Sequence, residues 1–102
     1  MRPIPPKLRE EMSEDPYYKS CCLQGACIGR VEWHHNLIYA GRQVNEKFCI
    51  LPLCEYHHRN IVKIKEVVDH RMLNRATDDE LRKYSKAVDY IALRERLNKK
   101  YG

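Results

Sequence analysis

Residues 50–58 read ILPLCEYHH. The apolar run from Phe48 to Leu53, which ends at Cys54, is short enough for a β-strand, and Pro52 then has to lie near the end of that strand. After Cys54 the sequence predicts a helix, whose first turn carries His57 and His58. A thiol therefore stands at the predicted junction of strand and helix, with two histidines close behind it.

A second strand is predicted over residues 30–35, where β-branched and aromatic side chains stand among polar ones. Successive residues of a strand point to opposite faces, so Trp33 should face the core while His34 points the other way. Residues 23–27 predict a tight turn between two thiols, and residues 40–43 predict a loop.

The N-terminal region and the centre of the chain give weaker signals. Residues 1–6 contain three of the five prolines and predict an extended arm. Residues 7–12 are long enough for about two helical turns. Residues 61–73 fit either the apolar face of a helix or an extended segment.

The C-terminal region predicts one long helix. Thr77 and Glu80 have the spacing of a capping box, so the helix should run from about residue 78 to near residue 100. Its apolar stripe changes face along the way, which predicts a bend near residues 89–92 or a different packing partner for the second half.

The composition indicates a single domain. The chain has 102 residues, a formal net charge of +5, and no apolar run near the ~18 residues that a membrane span needs. It also lacks the pattern of an export signal, so we expect a cytoplasmic protein without a membrane partner. The basic balance suits a polyanion, although scattered charge is also typical of an ordinary solvated surface.

Five cysteines and five histidines indicate a structural metal site. In a cytosolic protein, clustered cysteine and histidine bind metal more often than they form disulfides. A structural zinc takes four tetrahedral ligands, commonly two from each of two turns. Cys22 and Cys27 are predicted to supply the first pair, and Cys54 and His57 the second. Cys21 competes with Cys22, because neighbouring side chains of an extended segment diverge, and Cys22 is favoured.

Three segments together carry a family resemblance: EWHH at residues 32–35, YAGRQ at residues 39–43 and LPLCEYHH at residues 51–58. They resemble the HNH (His-Asn-His) endonuclease family, which is built on a ββα-metal finger, and more narrowly its small phage and prophage members. The resemblance covers residues 22–59, a little over a third of the chain.

The resemblance implies roles for three histidines outside the zinc set. His35 matches the family's first histidine, the general base that activates a water. His34 stands at the preceding position, which is a metal ligand in the family, and His58 matches the last histidine. His34 and His58 are therefore expected to bind a catalytic divalent cation, Mg²⁺ or another. Residues 54 and 57 match the second half of the family's zinc knuckle.

The chain departs from the family pattern in two places. The first thiol pair is separated by four residues, where two are usual. The position of the family's middle asparagine is occupied by Cys49, which also suits a small buried residue of the strand. Asn45 lies four residues earlier and is the residue we expect to orient His35. Asn36 directly follows that histidine, and it remains open whether Asn45, Asn36 or no residue fills the role.

The function implied by the resemblance is metal-dependent hydrolysis of DNA phosphodiester bonds. Arg30, Arg42 and Arg59 lie close to the motif and are candidates to bind phosphates, although each equally suits an exposed surface position. The alternative is a non-catalytic zinc module that binds DNA or RNA and retains the finger. A protein-interaction zinc finger is a weaker third hypothesis. The three additional histidines favour the enzyme.

The expected architecture is a small α+β domain over residues 1–102. An N-terminal arm (residues 1–20) precedes the zinc knuckle and ββα-metal motif (residues 21–60), and a helical extension follows (residues 61–102). DNA is the expected partner. The opposed stripes of the last helix suit a homodimer interface, and a protein partner is an expected source of targeting. If the chain is encoded by a phage or prophage, it acts in the bacterial host cell.

Overall fold

Helices and two short sheets alternate along the chain. The computed structural model describes residues 4–102, which form a small α+β domain. In chain order the elements are α1 (Pro6–Glu14), a 3₁₀ helix (Pro16–Lys19), β1 (Val31–His35), β2 (Ile38–Tyr39), β3 (Arg42–Gln43), a 3₁₀ helix (Lys47–Cys49), β4 (Ile50–Cys54), α2 (Glu55–Arg59), α3 (Ile61–Arg75), α4 (Asp78–Tyr84) and α5 (Tyr90–Tyr101).

The two predicted strands pair with each other, but the second begins at Ile50 rather than Phe48, because residues 47–49 form a 3₁₀ helix. β1 and β4 are antiparallel, with Val31 opposite Cys54 and His35 opposite Ile50. Pro52 lies in the middle of β4 rather than near its end. Its carbonyl accepts a hydrogen bond of 2.9 Å from the Cys22 N–H. Both polar groups of a strand residue point to the same edge, so the missing proline N–H lies on the edge away from β1.

The predicted loop at residues 40–43 is the tip and second strand of a hairpin. β2 and β3 are joined by Ala40 and Gly41, whose φ angles are 51° and 75°. Positive φ at both central residues is the signature of a tight two-residue turn whose twist matches that of its strands. The hairpin brings the chain back toward β4 and sets the position of the segment that contains Asn45.

The central ambiguous segment is helical. α3 runs from Ile61 to Arg75, after a break at Asn60 that separates it from α2. α5 packs back along α3, where Asn74 donates to Asn98 at 2.8 Å. The main core lies between β4 and the helices, and its fully buried aliphatic side chains are Leu51, Leu53, Val68, Leu73, Leu81 and Leu97.

The predicted long C-terminal helix is wrong, because the chain breaks between α4 and α5. The capping box of Thr77 and Glu80 starts α4 as predicted, with hydrogen bonds of 2.9 and 3.1 Å. Beyond α4, Asp89 caps a new helix: its Oδ1 accepts from the N–H groups of Ile91 and Ala92 at 3.1 Å. The two opposed apolar stripes therefore belong to two separate helices.

The short helix predicted at residues 7–12 is present in the N-terminal segment. α1 begins at Pro6 and is longer than the two turns expected, and the first three residues of the predicted arm lie outside the described part of the chain. A second, smaller core forms here from Ile4, Met12, Tyr18 and Ile50, and Trp33 packs against it. Trp33 therefore faces the protein interior, as predicted.

Candidate metal centre and histidine cluster

Four side chains from three segments converge beside the end of β4. One donor atom from each of Cys21, Cys27, Cys54 and His57 lies within 4.8 Å of all the others. The His57 Nδ1 atom lies 3.1 Å from the Cys54 sulfur, 3.4 Å from that of Cys21 and 3.8 Å from that of Cys27. A tetrahedral zinc with bonds of about 2.3 Å to sulfur and 2.0 Å to nitrogen separates those atoms by roughly 3.5 Å. The donor set and its spacing fit zinc.

Local backbone geometry brings these donors together. Cys54 ends β4 and caps α2, and its sulfur accepts the His57 N–H at 3.5 Å. Gln24 and Ala26 adopt positive φ, which curls the chain between Cys21 and Cys27. Gly29 then passes close to α2: a Cβ on it would lie 2.5 Å from the Glu55 carboxylate. A side chain at position 29 would force the loop of residues 21–29, which carries Cys21 and Cys27 and is called the thiol loop below, away from α2.

The cluster favours a thiolate at Cys54. Burial alone raises the pKa of this thiol, but hydrogen bonds with the backbone at His57 and Ile28, and with neighbouring side chains, lower its pKa to about 6. The thiolate is the form that binds metal. Cys54 is therefore ready to bind zinc near neutral pH.

The structure replaces Cys22 by Cys21 in the predicted ligand set. Cys21 is buried in the cluster, whereas Cys22 is half-buried beside Tyr17. The Cys22 N–H is bound to the Pro52 carbonyl, so the segment runs alongside β4 and its neighbouring side chains diverge. Burial raises the pKa of Cys22 to about 11, which suits a neutral packed thiol.

A second group of histidines lies across β1 and α2. The rings of His34 and His58 are edge to face, with centroids 5.1 Å apart. Glu32 shares a face of β1 with His34, and its carboxylate lies 2.8 Å from His58 Nδ1. Burial lowers the pKa of His34, an effect partly offset by its hydrogen bond with Asn36, so the ring is neutral at neutral pH. Neutral imidazole is the form that binds metal.

His35 is paired with Asn45, the residue that the sequence analysis expects to orient it. The His35 Nε2 atom lies 3.0 Å from Asn45 Oδ1. Asn36, the alternative, contacts a different histidine: its Oδ1 lies 3.1 Å from His34 Nε2. The three histidines are therefore each held by a side-chain oxygen, from Asn45, Asn36 or Glu32.

Cys49 supports the Asn45 segment. It is fully buried, and its thiol lies 3.1 Å from the Val44 carbonyl and 3.0 Å from that of Glu46, on either side of Asn45. Burial raises the pKa of Cys49 to about 12, so it is a neutral donor. Cys49 thus fixes the backbone on both sides of Asn45.

The three predicted arginines are exposed and differ in their surroundings. Arg30 lies 3.8 Å from the Glu55 carboxylate with its side chain 92% exposed. Arg42 lines a cavity of about 480 Å³ together with Asn45. Arg59 is exposed at the end of α2. Arg42 is therefore the arginine that shares a cavity with the segment holding His35.

Sequence reasoning missed two residues that contact the site histidines or their partners, Glu32 and Asp69, and it missed the hydrogen bonds of Cys49. Glu32 appears in the EWHH string, and its spacing of two residues from His34 could have indicated a shared strand face. Asp69 lies on α3 and contacts Asn36 at 2.8 Å. The hydrogen bonds of Cys49 to two carbonyls had no signal in the sequence, because they depend on how the loop folds.

Among the residues that the structure describes, one group of three or more donor side chains is close enough to bind a single metal ion. That group is Cys21, Cys27, Cys54 and His57. No helix in that part of the chain combines the length and apolar character needed to cross a membrane. No protein-family model, no curated protein and no solved structure gives a significant match to the chain.

Proposed function

We propose that this chain is a metal-dependent endonuclease of the HNH type, which hydrolyses phosphodiester bonds of DNA. The observation that carries the proposal is the 3.0 Å contact between His35 Nε2 and Asn45 Oδ1. It gives a histidine with one fixed ring nitrogen and one free ring nitrogen, next in sequence to a second histidine that packs against a third. We also propose that β1, β4 and α2 form a ββα-metal finger.

His35 acts as the general base. An amide oxygen only accepts hydrogen bonds, so the contact with Asn45 holds the proton of the neutral ring on Nε2. The lone pair is then on Nδ1, which takes a proton from the attacking water. Proton transfer from a water to a positioned histidine is a common form of general base catalysis.

His34 and His58 hold the catalytic cation through their free ring nitrogens. When bound, a divalent cation neutralises charge on the scissile phosphate and the departing oxygen. Two imidazoles near a carboxylate suit Mn²⁺, Ni²⁺ or Zn²⁺ better than Mg²⁺, which prefers oxygen ligands.

The cysteine cluster holds a structural zinc. Cys21, Cys27, Cys54 and His57 tie the thiol loop to the junction of β4 and α2. His58 directly follows His57, so the zinc site fixes the helix turn from which His58 reaches His34. Exposed arginines such as Arg42 contribute contacts to phosphates without selecting a sequence.

The test is cleavage of supercoiled plasmid by protein that carries one zinc per chain, with Mn²⁺, Ni²⁺ or Mg²⁺ added. We expect nicking that falls by about 10²–10⁴-fold in His35→Ala, as for loss of a general base. Asn45→Ala should lower the rate, and Asn45→Asp, which keeps an acceptor oxygen, should restore part of it. Zinc content and circular dichroism of each variant check that the fold is retained.

Two outcomes would contradict the proposal. Equal nicking by the wild type and His35→Ala would remove His35 from the chemistry. Retardation of DNA or RNA on a gel, without cleavage in any metal, would support the non-catalytic nucleic-acid-binding module instead.

A further inference from the structure

The histidines assigned to the catalytic cation are each backed by a carboxylate. We infer that Glu32 and Asp69 are positioning residues: Glu32 directly, and Asp69 through Asn36, fix the ring tautomers of His58 and His34 so that one chosen nitrogen of each faces the cation. This inference deepens the proposed function and rests on it.

Glu32 acts on His58 by direct contact. Its carboxylate Oε1 lies 2.8 Å from His58 Nδ1. A carboxylate only accepts hydrogen bonds, so Nδ1 carries a proton and the lone pair of the neutral ring is on Nε2. Glu32 is about half exposed, with 49% of its side chain accessible, so packing does not explain the contact.

Asp69 acts on His34 through a buried amide. Asn36 is 7% exposed, and its Nδ2 donates to Asp69 Oδ1 at 2.8 Å. That bond determines which end of the amide faces which partner, because only the nitrogen can donate to a carboxylate. The Asn36 Oδ1 is therefore the atom 3.1 Å from His34 Nε2. Nε2 carries the proton, and Nδ1 of His34 is free.

Asp69 is itself held in place. Lys65 lies one turn earlier on α3 and forms an ion pair with the Asp69 carboxylate. The chain of contacts therefore runs from α3 through Asn36 to β1, and it crosses between elements that are distant in sequence. It gives α3 a role at the histidine cluster although α3 contributes no predicted ligand.

Fixed tautomers raise metal affinity for a physical reason. A neutral imidazole has one lone pair, and a ring that already presents it does not have to shift a proton or turn on binding. Loss of such an outer partner typically costs about 10–100-fold in metal affinity. Glu32 does not compete with the cation, because its carboxylate contacts the His58 nitrogen that the cation does not use.

The first test reads the tautomers directly, and it needs neither DNA nor the catalytic cation. Long-range proton–nitrogen NMR correlations of ¹⁵N-histidine protein, with one zinc per chain, report which ring nitrogen is protonated. We expect a protonated Nδ1 in His58 and a protonated Nε2 in His34. The opposite tautomer at either residue overturns the assignment for that residue.

The second test separates the hydrogen bond from simple charge. Glu32→Ala removes the acceptor, whereas Glu32→Gln removes the charge and keeps an acceptor oxygen. We expect Glu32→Ala to mix the His58 tautomers and to weaken Mn²⁺ binding, measured from the free Mn²⁺ electron paramagnetic resonance signal, by about 10-fold or more. Glu32→Gln should keep the tautomer and lose less affinity. Asp69→Ala should mix the tautomers of His34 and leave those of His58 unchanged.

Glu66→Gln is the matched control, because Glu66 is a comparably exposed carboxylate that pairs with Lys100 and Tyr101 and contacts no histidine. It should change neither readout. Equal losses in Glu32→Ala and Glu32→Gln with an unchanged tautomer would reduce Glu32 to a source of charge and overturn the inference. These results are independent of plasmid nicking, which tests the function itself.

Discussion

The choice between two adjacent cysteines shows what one residue contributes to the metal centre. Cys21 and Cys22 have the same chemistry, and the sequence predicts only that one of them faces the metal. The deciding contact is the hydrogen bond between the Cys22 N–H and the Pro52 carbonyl, which sets the orientation of the segment. That contact joins residues 30 positions apart, so local sequence could not predict it.

Replacement of Cys21 should release zinc, and replacement of Cys22 should not. Structural zinc binds with about 10–16 kcal/mol over four ligands, so loss of one ligand costs roughly 3 kcal/mol, on the order of 100-fold in affinity. We expect that loss for Cys21→Ser in competition with a chromophoric chelator. Cys22→Ser is the matched control, and a weaker zinc site in Cys22→Ser than in Cys21→Ser would reverse the assignment.

At the scale of elements, a local sequence motif marks the start of α4, whereas no such motif marks the start of α5. The capping box of Thr77 and Glu80 is a local motif, and it was predicted correctly. The segment between α4 and α5 contains no proline or glycine that would predict the break. The break depends on Asp89 as a cap and on Ser85, whose hydroxyl accepts the Tyr90 N–H at 3.1 Å. Both contacts compete with a continuous helix that the same residues would also form.

Asp89→Ala should destabilise the protein by about 1 kcal/mol, the usual cost of losing a helix cap. The measurement is the free energy of unfolding in urea. Asp89→Ser keeps an oxygen at the capping position and should recover most of the loss. If Asp89→Ala were as stable as the wild type, the cap would not be what starts α5.

The parts of the fold that the sequence predicted are those fixed by neighbours along the chain. β1, β4 and the start of α2 follow from composition and the spacing of apolar residues. Three members of the candidate metal cluster, Cys27, Cys54 and His57, follow from ligand spacing, and the contact of Asn45 with His35 was one of the alternatives that the sequence left open. Glu32 on His58 and Asp69 on Asn36 were not predicted, because they join strands to helices through side chains that carry no motif.

At the scale of the whole molecule, Arg75 joins the C-terminal half to the N-terminal segment. Its guanidinium lies 3.7 Å from the centre of the Tyr17 ring and donates to the Tyr18 hydroxyl at 2.9 Å. The Tyr18 hydroxyl also donates to a backbone carbonyl, either that of Ile50 at the start of β4 or that of Lys47 in the preceding 3₁₀ helix. The N-terminal segment, the sheet and α3 therefore share one network, and the phenols in it are removed from water.

This burial predicts that the protein loses stability in alkali. Burial raises the pKa of Tyr17 to about 12, from an ordinary value of 10. The unfolded chain therefore releases this proton at a lower pH than the folded chain does. The stability that Tyr17 contributes is complete below about pH 10 and is lost as the pH rises toward 12. The midpoint of urea unfolding should fall across this interval.

Tyr17→Phe should make that fall shallower, because it keeps the ring beneath Arg75 and removes the proton. Tyr56→Phe, at an exposed tyrosine of α2, is the control and should follow the wild-type curve. The burial of the Cys49 thiol acts in the same direction, since its pKa is raised to about 12, so some alkaline loss should remain in Tyr17→Phe. Parallel curves for the wild type and Tyr17→Phe would mean that the Tyr17 phenol is ionised as easily in the folded chain as in the unfolded one, and that burial does not raise its pKa.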